Sequence, residues 1–112
     1  MAFEAQLSHG GPTMVDYTPG AAVVAGKVIV TADTVRIAHL DIAANTLGSL
    51  AAVGGSYTVF GDAAIAADKK VWWNAAAGQI TETASTHKVF GVTETACSGA
   101  AAKCIARHDP AQ

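Results

Sequence analysis

The sequence predicts an all-β domain, a small antiparallel β-barrel or β-sandwich, and three observations carry that expectation. Short runs rich in Val, Ile, Thr and aromatic residues recur at spacings of roughly 8–12 residues. Glycine stands at many of the breaks between them, at Gly20, Gly54, Gly61, Gly78 and Gly99. No stretch holds the apolar period of an amphipathic helix over the length that a crossover between parallel strands needs. With 112 residues the chain has room for one core, expected over residues 14–112.

Residues 1–13 end in Gly10-Gly11-Pro12 and show no period, so they read as an extended N-terminal arm outside that core. Phe3 and Leu7 are its apolar anchors and candidates for contact with a partner. Pro19-Gly20 marks a turn, residues 27–31 (KVIVT) a strand, and Ala32-Asp33 the next turn. Residues 35–40 alternate, with Val35, Ile37 and His39 on one face and Arg36, Ala38 and Leu40 on the other. A further run over 45–52 meets a turn at Gly54-Gly55 and continues into residues 57–60. Residues 62–68 (DAAIAAD) form the one plausible helix, too short to be stable alone and equally readable as a loop. Residues 71–73 and 79–83 pattern as a hairpin, as do 88–95 and 102–107.

Composition narrows the function. The chain is 51% hydrophobic, but much of that is alanine, so its large apolar side chains make a thin core and association would complete the burial. Net charge is −2 and the 7 basic residues are scattered, so the footprint of a nucleic-acid binder is missing. No apolar run approaches the roughly 20 residues that cross a bilayer. The N-terminus lacks the basic and apolar regions of a secretory leader, so synthesis in the cytoplasm is expected. Cys97 and Cys104 could face each other across a hairpin closed near Ser98-Gly99, yet a reducing cytosol makes two free, buried thiols the expected state.

Nothing nominates catalysis or a cofactor. Gly54-Gly55-Ser56 lacks the lysine and glycine spacing of a phosphate-cradling loop and reads as a turn. His9, His39, His87 and His108 are dispersed; His39 with Asp41 is the best local metal pair, and reads more simply as a surface hydrogen-bonding pair. Ser49, Ser56, Ser85 and Ser98 occupy no nucleophile elbow, and no base neighbours Cys97 in sequence. Trp72-Trp73 is more informative. Adjacent strand residues point to opposite faces, so one ring can fill the core while the other, beside Asn74, meets a partner; the alternative is that both are covered within the monomer.

Four segments resemble a known family when taken in order. They are VDYTPGAAVVAGKV at 15–28, DIAANTLGSL at 41–50, VWWNAAAG at 71–78, and Phe90-Gly91-Val92 followed by the turn at residues 98–101. Together they are similar to the capsid cement, or head decoration, proteins of tailed phages. The recombinase label sometimes attached to that family finds no Walker A lysine motif here. The resemblance implies a non-enzymatic virion protein on the outside of the expanded head, bridging neighbouring major capsid subunits. It also implies self-association, with a trimer expected ahead of a dimer, and neither nucleic-acid nor membrane partners. Phe3, Leu7, Trp72, Trp73 and Asn74 are then the candidate partner-binding residues. A recognition module displayed on a virion, binding a host glycan or protein, is the competing expectation.

Overall fold

A computed structural model of the chain describes residues 3–32 and 34–111. Met1 and Ala2 of the expected arm and Asp33 of the expected Ala32-Asp33 turn lie outside the described residues. The described chain is all-β and carries no helix: β1 (Ala5–His9), β2 (Thr13–Tyr17), β3 (Val28–Thr31), β4 (Thr34–Ile37), β5 (Gly48–Val53), β6 (Ser56–Phe60), β7 (Lys70–Asn74), β8 (Gln79–Thr81), β9 (Lys88–Thr93) and β10 (Lys103–His108). They make two antiparallel sheets, one ordered β1-β6-β10-β9-β7-β8 and the other β2-β5-β4-β3. Neither closes into a barrel, although an isolated bridge from Gly61 to Ile80 brings β8 back to the end of β6.

Period-two alternation explains which residues make the core. Val35 and Ile37 of β4, Tyr57 and Val59 of β6, Val71 and Trp73 of β7, and Cys104, Ala106 and His108 of β10 are buried, with more accessible residues between them. These inward rows, with Val28 of β3, Ala51 of β5 and Phe90 of β9, form one core shared by both sheets. The Trp73 and Phe90 rings pack with centroids 5.8 Å apart at its centre. A second cluster of Ala38, Ile42 and Leu50 lies on the far side of the smaller sheet, packed against Val15, Tyr17, Val23 and Ile29.

Two expectations are revised and one open alternative is decided. The segment assigned to an arm outside the core contains β1, which pairs with β6 at the edge of the larger sheet and buries Ala5 to 1% exposure. Its docking does not rest on periodicity: the Gly26 carbonyl accepts both Glu4 N–H and Ala5 N–H, and Glu4 Oε1 accepts the Val28 N–H. Gly26 has φ +87, and a Cβ there would overlap Phe3, so glycine permits this approach. Residues 62–68 resolve as loop. Ile65, the large apolar residue among the alanines, is buried by an antiparallel bridge to Cys97 instead of being presented on a helix.

The free-thiol expectation is overturned: Cys97 and Cys104 form a disulfide, with their Cα atoms 5.0 Å apart. Compartment governs whether a thiol pair oxidises, but local pairing decides whether it can: the Ile105 carbonyl of β10 accepts Glu94 N–H and Thr95 N–H, and Cys97 exchanges two backbone bonds with Ile65, which together fix the segment that brings Cys97 to Cys104. Closing a loop with a sequence separation of 7 stabilises the fold by about 2–3 kcal/mol in the chain-entropy account.

Candidate docking surface

The β2–β3 and β4–β5 connections are long loops stitched to each other. Val23 and Ile42 exchange two backbone hydrogen bonds of 2.8 Å, the Pro19 carbonyl accepts Asn45 N–H, and Asp41 Oδ1 accepts Ala25 N–H at 2.7 Å. Ile42 and Val23 also reach down into the second cluster, so the loops rest on apolar packing. Held this way, they present Leu40 and Leu47 to solvent at 75% and 67% exposure. Large aliphatic side chains this exposed on a fixed scaffold mark a contact site.

Two adjoining grooves extend the site. One, of about 350 Å³, lies between the start of β1 (Phe3, Ala5, Leu7) and the loop residues Ala25, Gly26 and Ala38. The other, of about 270 Å³, is lined by Met14, Leu40, Ile42, Thr46 and Leu47. His39 lines both, with exposed Leu7 in the first and exposed Met14, Leu40 and Leu47 in the second.

Beneath the grooves, that imidazole begins a polar column through the core. His39 Nε2 and the Tyr57 hydroxyl share a hydrogen bond of 2.6 Å. The Tyr57 ring meets His108 edge-on, with centroids 5.9 Å apart. His108 Nε2 lies 2.7 Å from the Val35 carbonyl, which only accepts, so Nε2 carries the proton and Nδ1 is a bare lone pair. Nδ1 is buried without a partner. Burial pushes His108 below its ordinary pKa, aided by His39 and opposed by the Val35 carbonyl and Asp109; burial alone lowers His39. Burial raises the Tyr57 phenol above its ordinary range.

The sign of the resulting pH dependence follows. Folded, both histidines titrate below the unfolded value of about 6.5, so the unfolded chain binds more protons between the two values. Their contribution to stability is complete above about pH 6.5 and declines as pH falls from there toward the folded pKa values. A thermal melt at about pH 5.5 is expected to have a lower midpoint than one at about pH 7.5; equal midpoints would show that His108 is not held neutral.

The structure separates the candidate partner-binding residues. Phe3 and Leu7 line the first groove, and Phe3 also packs on Phe60 with ring centroids 5.6 Å apart. Trp73 is 1% exposed and belongs to the core, so it has no surface to offer a partner. Trp72 lies on the opposite face of β7, with Lys70 Nζ 5.4 Å from its ring centroid. Asn74 shapes the following turn, its Oδ1 accepting Ala77 N–H at 3.3 Å. His39 and Asp41 diverge, one to Tyr57 and the other to Ala25, and no group of three metal-binding side chains occurs among the described residues. Sequence reasoning missed Met14, Leu40 and Leu47. The available signal was a large aliphatic residue inside a turn-rich segment, Leu40 before Asp41 and Leu47 between Thr46 and Gly48.

Residues 8–108 match the family model described as phage cement protein. No curated protein matches the chain.

Proposed function

The chain belongs to the phage cement protein family, and from that premise we propose that it binds the outer surface of the mature head, where it bridges and stabilises neighbouring major capsid subunits. It is a structural protein of the phage capsid; the bridging role, the contact residues and self-association as a trimer are the proposal. The observation that supports it is the surface at one end of the smaller sheet: Leu40 and Leu47 exposed on loops that backbone bonds hold in place, with Leu7 of β1 and Met14 of β2 lining the grooves that meet at His39. Such a surface has the character of a contact that desolvates on docking. A clamp that binds the expanded lattice and not its precursor shifts the equilibrium toward the expanded form by mass action. Copies that also bind one another multiply weak single contacts into firm attachment. No bond need be made or broken.

The test is a double variant, Leu40→Asp with Leu47→Asp, sedimented with shells that lack the protein. Both side chains face solvent, so the fold survives the change. Loss of the central apolar contacts should weaken apparent affinity about 100-fold. Undiminished occupancy would remove this surface from the interface, and a wild-type chain that ignores shells would end the cement reading.

A further inference from the structure

A bridge needs two contacts, and the loop surface supplies one. We infer that the outward face of the larger sheet is a second docking surface, an apolar strip flanked by exposed cations, that takes an acidic patch on a neighbouring protein. The inference rests on the cement reading and names the chemistry of its second partner.

The face is defined by alternation. Val71, Trp73, Cys104, Ala106 and His108 point into the core, so Lys70, Trp72, Lys103, Ile105 and Arg107 point away from it. No second layer covers them, since the smaller sheet packs on the other side. Register sets their spacing. Arg107 and Lys70 both pair with Val92, from opposite sides, which puts them two strand spacings apart, about 10 Å. Lys103 lies further along β10, beyond Ile105. Val92 is half-buried between Arg107 and Lys70, and Ile105 between Arg107 and Lys103, while Trp72, paired with Val89, lies beyond Lys70 on the side away from Lys103.

None of Lys70, Lys103 and Arg107 pairs with a carboxylate among the described residues. Lys70 instead rests against the Trp72 ring. Glu94, an acid on this side, bonds no lysine or arginine among the described residues: Oε2 accepts the Ser56 hydroxyl at 2.7 Å and Oε1 lies 3.5 Å from His9 Nε2. Lys70, Lys103 and Arg107 outnumber it, so the face carries an excess of positive charge on a chain whose net charge is −2. Half-buried apolar side chains beside accessible charges are the anatomy of a protein interface. Three separated cations beside an apolar strip suit a carboxylate-bearing surface better than a duplex, whose phosphates demand a continuous basic track.

The charge reversal Lys70→Glu/Lys103→Glu/Arg107→Glu tests this, with the matching Gln substitutions as a neutral series; circular dichroism checks the fold. Two measurements read it: sedimentation with shells lacking the protein, and retention on polyglutamate beads, each at about 50 and about 500 mM NaCl. Wild type is expected to lose about tenfold in shell affinity across that range and to be retained on polyglutamate at low salt. The reversal should be at least about tenfold weaker at low salt and indifferent to salt, with the Gln series between. Equal sedimentation, or equal elution, of wild type and reversal overturns the inference. Stronger retention on duplex DNA than on polyglutamate overturns it in favour of a nucleic acid. Wild type that never sediments with shells defeats the cement reading instead, and the beads then decide the face alone.

Discussion

Replacing Gly91 with alanine is expected to destabilise the fold severely. Gly91 lies on β9 opposite His108 of β10. A Cβ added there would sit on the Arg107 carbonyl oxygen, inside any real contact, and 2.7 Å from Asp109 N. These neighbours are backbone, so no side-chain rotation relieves the clash; the two strands must part. Parting them breaks the hydrogen bond from Asp109 N–H to the Phe90 carbonyl and withdraws His108 from Val35. The loss should be at least about 4 kcal/mol, against a total of about 5–15 kcal/mol for a domain. Gly99→Ala, where nothing lies within 4 Å of the added Cβ, is the matched control and should stay within about 0.5 kcal/mol of wild type. Urea unfolding measures both. A Gly91→Ala protein with the wild-type midpoint would mean that β9 and β10 do not pair in this register.

The second large effect separates the adjacent tryptophans. Trp73→Ala should cost about 3–5 kcal/mol, because its ring is 1% exposed and the cavity left against Phe90 has no route to collapse. Trp72→Ala should cost no more than about 1 kcal/mol, since the ring is only half-buried and its partner is an exposed lysine. Equal losses for the two would show that β7 is covered on both sides.

This contrast also shows what the sequence discloses. Period-two alternation needs only local information, so KVWWN, VIVT, TVRI and KVFGVT were legible as strands, and the opposite facing of Trp72 and Trp73 with them. Which tryptophan faces inward was not legible, because that depends on which side receives the second sheet. β1 escaped notice because its sequence, AQLSH, has one buried residue, and its attachment is made by the carbonyl of Gly26. The column of His39, Tyr57 and His108 joins residues from three separate segments, a juxtaposition that no spacing rule contains. The disulfide was legible as geometry and misjudged from compartment. The exposed leucines were visible as residues, but exposure is a property of loops after folding.

The contact between Glu4 and Gly26 bears on the behaviour of crowded copies. Unpaired strand margins invite chains to zip into polymers, a hazard that grows with local concentration. Here the starts of β1 and β3 are turned against each other and satisfied by a carbonyl and a carboxylate. β8 is only three residues long and is met by Gly61, while β2 follows Pro12, kinks between Thr13 and Met14, and carries Asp16. A shell coated with this protein can therefore be dense without its coat seeding fibres.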